Sequence, residues 1–381
     1  MHFDIAIVGG GMVGGALAAA LKNSDLQIVL IDATPAHFGD DARLIALNET
    51  SIHFFKRLGL WPVLEPHAAP IERIHVSHRG HFAITRIDCK EFKMPVLGYV
   101  IPAKYINAAL YSALTQANNI TLIRPAKLET FTQEKENMSL TISIESTMQY
   151  LQANVVIGAD GSLSTVRDIL NIPIEKYDYQ QSALVTTTLL QRDHNNSAYE
   201  RFLENGAIAM LPLRDMQAAT IWTANNETIA HLMTLSDEDF LKNLQDTFGY
   251  RLGRFVSIEK RVTYPLQLLV AKQSIKDNVI LIGNAAHTFH PIASQGLNLA
   301  LYEVSCLETF FLSSGKKLSL RHLQIDRWQE RFSKHLSHHL TWIFSQDQLL
   351  LNSARQVAMV GLDVLPGLKK RFAWRAMGKV H

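Results

Sequence analysis

The chain is poor in cysteine, with Cys89 and Cys306 the only two in 381 residues. That excludes a disulfide framework and fits a reducing, cytoplasmic setting. It has no segment both long and apolar enough to span a bilayer; the uncharged run 5–21 is Gly-rich and reads as strand, turn and buried helix. Its first residues carry neither the basic region nor the cleavage site of a secretory signal. Charge of one sign is missing too: 37 Lys and Arg against 35 Asp and Glu leave +2, too little to argue for nucleic acid. There are no internal repeats and no low-complexity segments. His335, His338 and His339 share a helical spacing in "KHLSHHL", but no cysteine or carboxylate completes a metal set, so none is expected. His75, His78 and His81 read as a turn with exposed histidines.

What is present is an ordinary globular balance, 47% apolar and 19% charged. The length exceeds one simple core, so two packed units with a helical tail are expected. "FDIAIVGGGMVGGALAAAL" opens the chain: a buried strand to Val8, then Gly9, Gly11 and Gly14 as G-x-G-x-x-G, with Met12 and Val13 opening a helix. Gly9 allows the tight turn, Gly11 lets a pyrophosphate approach the backbone, and Gly14 lets helix and strand pack closely. The helix start offers amide donors and partial positive charge to phosphates. "LQIVLIDA" is a second buried strand ending in Asp32, placed ~20 residues on to take ribose hydroxyls. A dinucleotide follows; FAD or NAD(P) does not.

Further along, a helix is expected from about Leu47 to Leu58, capped by Asn48 or Thr50, and another in "AKYINAALYSALTQA". Residues 128–151 read as a β-meander. "NVVIGADGSLSTVRDIL" is a buried strand, a Gly-Ala-Asp-Gly turn and a helix begun by Ser162 and Ser164. Residues 180–270 alternate like strands, with one helix near 235–246. "VILIGNAAHTFHPIASQGLNLAL" (279–301) then breaks a strand with small residues and restarts as a helix, as if something large lies on the backbone. The fold class expected is α/β: a discontinuous Rossmann-like domain (1–70, 98–178 and 272–320), an inserted β-rich substrate domain (71–97 and 179–271), and C-terminal helices (321–381) ending in a basic tail.

Together, "VGGGMVGG", "VIGADGSLSTVRD" and "LIGNAAHTFHPIASQGLNLAL" resemble, in order and spacing, the FAD-dependent aromatic hydroxylases (group A flavoprotein monooxygenases) from Asp4 to about Leu312. Gly283-Asn284, "ERFLENGAIAMLPL" with Trp222, and "FGYRLG" resemble the ubiquinone-biosynthesis branch. The resemblance implies that the glycine motif belongs to FAD, that Asp32 takes its ribose, and that Arg43 lies by the cofactor. It places Asp160, Gly161 and Arg167 at the segment linked to both FAD phosphates and NAD(P)H. Gly283, Asn284 and Ala285 fall beside the ribityl chain and pyrophosphate, and Pro291, Gly296, Leu297 and Asn298 beside the isoalloxazine. NAD(P)H is implied as a transient electron donor and O2 as cosubstrate, one oxygen passing to an electron-rich phenol ring.

Departures from the family pattern are Asn284 for an Asp, Ser294 for a Gly, Tyr302-Glu303 for Arg-Asp, and Pro102 and Lys104. No catalytic base is legible. His287 and His290 flank the flavin turn and are weak candidates, more readily hydrogen-bonded to backbone. A prenylated substrate implies an apolar channel lined from strands 183–190, 207–213 and 218–223, which simple core packing would equally explain. The tail "LPGLKKRFAWRAMGKVH" suits a membrane surface at the inner membrane's periphery or a biosynthetic complex, against a packed C-terminal helix. Oligomer formation stays open. So do three rivals: a hydroxylase of a soluble aromatic, a flavin dehydrogenase or oxidase, and a non-catalytic subunit.

Overall fold

Runs that are apolar without alternation become strands of a parallel sheet covered on both faces. His2–Val8 is buried from Phe3 onward, and Ile28–Ile31 and Val279–Leu281 are buried throughout. The computed structural model describes residues 1–35, 41–81, 84–134, 137–289 and 295–315, with residues 318, 320, 323, 367, 369, 370 and 374. Among these, the first sheet has eight strands. Its parallel part runs in space Val279–Leu281, Thr147–Gly158, His2–Val8, Ile28–Ile31, Ile120–Ile123. The meander Lys127–Glu134 and Asn137–Ile144 adds to it antiparallel through Thr147–Gly158, one continuous strand. Helices Met12–Leu21, Ala103–Thr115 and Gln295–Ser314 pack on one face, with Leu17, Leu21, Leu110, Val304 and Phe311 in the same apolar core.

The second sheet has nine strands among the described residues and alternates in burial, one side chain to each face. One face carries Leu184, Ile208, Met210 and Trp222 against Phe240 and Leu244 of the helix Asp237–Phe248. The other carries Ala198, Leu211, Ala219 and Ile221, which meet Leu44, Ala46 and Val100 of a small three-stranded sheet. That small sheet, made of Leu44–Asn48, Gly98–Pro102 and Ala69–Ile71, joins the two large ones.

Three expectations change. Leu44–Asn48 is a strand paired with Gly98–Pro102, so the helix begins at Glu49, with Asn48 Oδ1 accepting from Ser51 N at 2.9 Å. The helix near 235–246 is Asp237–Phe248, but it is not single: a second, Asn226–Thr234, precedes it, because Asn225 and Ser236 each start a helix with a side-chain cap. His75 and His78 are not exposed on a turn. They lie on the strand Arg73–His78, 8% and 7% exposed, because β pairing on both sides draws them into the sheet. The helix expected over 320–355 lies almost wholly outside the described residues. Of the tail, Lys369 is buried and pairs with Glu91 at 3.3 Å, and Trp374 packs against the core shared by the large and small sheets. No helix of the described residues is long and apolar enough to cross a membrane.

Arg251 Nη1 donates to His75 Nε2 at 2.8 Å. Burial, then the charges of Arg251 and Arg86, push the imidazole down to about 4. The unfolded chain takes up this proton at about pH 6.5 and the folded chain does not, so unfolding binds protons between the two values. Stability is therefore fully present above the unfolded value and is lost as pH falls toward about 4. Thermal melts across this window should show a falling midpoint, and His75→Gln should reduce the pH dependence of that fall.

Candidate functional site

The register of the parallel sheet builds the site. Val8 pairs with both Ile31 and Gly158, and Gly158 pairs with Leu281. Four chain segments therefore leave the carboxyl ends of adjacent strands side by side, where α/β sheets bind ligands. Gly9 N donates to Ile31 O (2.8 Å), Ala159 N to Val8 O (2.8 Å), and Ile282 N to Gly158 O (3.0 Å). Gly9, Asp32, Asp160 and Gly283, far apart in sequence, thus meet at one edge.

The glycines differ in what they permit. A Cβ on Gly9 (φ +104°) would lie 2.4 Å from Ala159 O, and one on Gly14 would lie 1.9 Å from Gly9 O. Both positions are closed by the protein itself. A Cβ on Gly11, the residue preceding helix Met12–Leu21, would meet nothing within 4 Å. That position is closed to side chains only by what binds there, and the first amides of the helix are beside it. Met12 is buried, and Val13 lies under Gly283 (φ +57°), whose added Cβ would be 3.0 Å from Val13 Cγ2.

Asp32 is pinned at its strand end. Its Oδ2 accepts from Gly10 N at 2.6 Å, and its Oδ1 accepts from Thr34 N and Oγ1 at 2.7 and 2.6 Å. Arg124 stands 3.8 Å away and holds Thr34 O at 3.0 Å. Asp160 Oδ2 accepts from Val166 N at 3.1 Å, while Oδ1 is buried with no partner. A buried acceptor without a donor costs about 1–3 kcal/mol, so this oxygen favours a ligand that brings one. Gly161 turns the chain with φ +85°. Arg167 is 4% exposed and donates to Ala285 O (3.2 Å) and Ser162 O (2.9 Å), joining the Asp-Gly turn to the 283 turn from behind.

Glu303 completes the 283 turn. Its Oε2 accepts from Gly283 N at 3.1 Å, and its Oε1 lies 2.7 Å from His287 Nε2. Both side chains are buried. His287 is thus engaged by a side chain, not the backbone partner expected, and this favours holding the turn over proton transfer at the ring. Asn284 is exposed beside it. Sequence reading noted Glu303 only as a departure; its role depends on a helix 20 residues on folding back over the turn. Gly296 and Leu297 are half-buried at the start of helix Gln295–Ser314. Asn298 donates to Ala46 O (2.9 Å) and accepts from Asn48 N (3.0 Å) and Ser51 Oγ (2.7 Å), locking that helix to the small sheet. Arg43 sits at this junction in a fork with Asp41 (2.8 and 2.7 Å), and Asn107 donates to the same carboxylate. Burial opposes charge on Asp41, but the Arg43 fork overcomes it and holds the carboxyl below its usual range; the same hydrogen bonds raise Arg43. His290 and Pro291 lie outside the described residues. The geometry therefore gathers Gly9 to Gly14, Asp32, Asp160, Gly161 and Gly283 to Ala285, while Arg43 and Gly296 to Asn298 cluster at the small sheet.

The family whose model matches, over residues 2–313, is described as "FAD binding domain". The chain is similar to the ubiquinone hydroxylase UbiL of Rhodospirillum rubrum, 29% identical over 387 aligned positions covering 98% of this chain and 89% of the relative. It is 32% identical over 310 residues to the 3-demethoxyubiquinol 3-hydroxylase of Escherichia coli, covering 80% and 74%. Among solved structures, p-nitrophenol 4-monooxygenase PnpA of Pseudomonas putida superposes with a TM-score of 0.82 at 15% identity, covering 100% of this chain and 99% of that one; this supports the fold. The open cradle at Gly11 fits an FAD phosphate chain, and the orphaned Asp160 oxygen fits a hydroxyl donor of the same cofactor.

Two substitutions separate the glycine roles. Gly14→Ala forces strand and helix apart and should cost about 1–3 kcal/mol together with flavin content. Gly11→Ala should leave the flavin-free protein's melting midpoint close to wild type but weaken FAD about tenfold or more, a loss of roughly 1.4 kcal/mol. Thermal melts of stripped protein and FAD titration by fluorescence check both.

Proposed function

We propose that this chain, which belongs to the FAD-binding-domain family of aromatic monooxygenases, hydroxylates the ring of a polyprenylated methoxyphenol in ubiquinone biosynthesis. The single observation that carries this reading is the similarity to a ubiquinone hydroxylase over 98% of the chain. The substrate is the step beyond family membership, and its chemistry fits the large sheet's inner face. Val185, Ala209 and Ile221, directly paired across that sheet, are apolar and half-buried. Such a surface suits a prenyl chain and sheds water from the reacting centre.

FAD, when bound, accepts hydride equivalents from NAD(P)H and activates O2 at its ring. In the net reaction one atom of O2 enters the phenol ring and the other leaves as water, with both electrons drawn from NAD(P)H. The chain's residues supply position and field. Gly11 and the amides after it meet the phosphates, Asp160 Oδ1 takes a donor, and Asp32 is held to accept from the ribose. Asn284 stands exposed as both donor and acceptor for the sugar-like chain. The amides opening helix Gln295–Ser314 bring partial positive charge to the small-sheet side, where they favour negative charge on the ring, while Asp41 neutralises Arg43 and fixes its place there. The prenyl chain points to a membrane as the source of substrate. Lys369 and Trp374, packed on the body of the protein, favour a docked tail over one free to lie on that membrane.

FAD-loaded protein given NADPH, a polyprenylated methoxyphenol and labelled O2 should yield a product with one labelled ring hydroxyl. NADPH oxidation with label found only in peroxide would instead identify an oxidase. Faster turnover of short soluble phenols than of the prenylated one would favour the soluble-substrate rival.

A further inference from the structure

The strand Ser197–Leu203 carries one acid that none of the chemistry above uses. Glu200 pairs across the sheet with Val76 on one side and Ala209 on the other, and the row continues through Ile221 and Val185. Residues directly paired across a sheet project to one face. The face is fixed by its neighbours: Ala198, Leu211, Ala219 and Ile221 lie in the core shared with the small sheet, whereas Tyr199, Met210 and Trp222 pack with the helices on the far side. Glu200 therefore stands in an apolar row on the face turned toward the small sheet. That small sheet also holds Arg43's neighbour Leu44 and the Asn298 contacts at Ala46 and Asn48.

Nothing in the described protein answers this carboxylate by hydrogen bond or ion pair. The side chain is half-buried, keeping a path to solvent while protein surrounds it densely. A carboxyl kept in apolar surroundings without a partner is costly for a merely structural position, and such groups concentrate at functional sites. Burial alone pushes it up to about 7, where a base is best matched to neutral conditions. The titratable groups sharing its face are His78, one residue pair along the sheet, and Tyr264, four strands away and close enough to Arg43 to raise it. The small-sheet side chains in the same core, Leu44, Ala46 and Val100, are all apolar. The arginines Arg79, Arg86, Arg201 and Arg251 gather around Tyr199 and His75, whose partners lie on the opposite face.

We infer that Glu200 is the group that accepts the substrate's phenolic proton, and so is a catalytic residue of this enzyme. The phenol O–H bond breaks as its electron pair moves into the ring, making the ring carbon the nucleophile toward the incoming oxygen. The proton resides on a Glu200 carboxyl oxygen; the new C–O bond forms as the O–O bond breaks, the other oxygen keeping that electron pair and leaving as water with protons from solvent. The ring carbon then loses its C–H proton as the phenol O–H re-forms, and Glu200 releases its proton to solvent when product leaves. No further oxidant or reductant is required. The assignment rests on the phenol-hydroxylase reading but is tested apart from it.

The test uses FAD-loaded wild type, Glu200→Gln and Glu200→Asp with a geranylated methoxyphenol as substrate and, as the bound probe, its ring-nitrated analogue, a phenol acidic enough for a carboxylate near 7 to deprotonate. The phenolate band of the bound probe is read without turnover, and product formation is read against pH. Wild type should ionise the probe on binding. Glu200→Gln should bind it with similar affinity and keep flavin content, yet leave it neutral and form product about 100-fold or more slowly near pH 7. Its rate should recover as pH rises toward the phenol's own pKa, about 10, and Glu200→Asp should restore part of the loss. A Glu200→Gln enzyme with the wild-type phenolate band and pH profile would overturn the assignment. So would a wild type that leaves the bound probe neutral. If wild type ionises the probe through Glu200 but makes no hydroxylated product, the hydroxylase reading fails and Glu200 stands.

Discussion

Everything at the candidate site follows from the pairing of four parallel strands at one register. Val8 opposite Ile31 and Gly158, and Gly158 opposite Leu281, make the loops after those strands leave from a common edge. A slip of one residue in any pair would exchange Ile7, Leu30 and Ile157 for the differently sized Ala6, Val29 and Val156 of the opposite core, so close packing on both faces holds the register. The glycines then act at fixed points. Gly9 and Gly14 let backbone approach backbone, and Gly11 is left open for a ligand.

A second constraint supports the first. The 283 turn has no regular element to hold it, and Glu303 does so from a helix by accepting from Gly283 N and engaging His287. Asn298, at the start of the same helix, locks it to the small sheet through two hydrogen bonds and to helix Glu49–Arg57 through a third. One helix thus ties the 283 turn to the small sheet that faces Glu200. The partners are charged or amide groups in buried positions, where removing one leaves another unsatisfied.

How much of this was legible depended on range. Gly9, Gly11, Gly14 and Asp32 could be read because strand, turn, helix and strand are contiguous and each glycine has a local reason. The three separated motifs gave the cofactor class through their resemblance. The helix capped at Asn48 is legible, but the strand Leu44–Asn48 before it is not, since only pairing with Gly98–Pro102 makes that short apolar run a strand. His75 and His78 were misplaced for the same reason: their burial comes from Ser197–Leu203, more than a hundred residues away. Glu303 and Glu200 stand in stretches that the resemblance picks out, but their roles are not legible there, since an acid on a helix or strand reads as solvent-facing until its face is known.

The central claim is that three sequence-distant segments form one cofactor seat. Amide hydrogen exchange of the flavin-free protein, with and without added FAD, tests it most directly. The account predicts that FAD slows exchange together at Gly9 to Val13, at Asp160 to Ser162 and at Gly283 to Ala285. Protection confined to the first segment, with the other two exchanging as before, would contradict it.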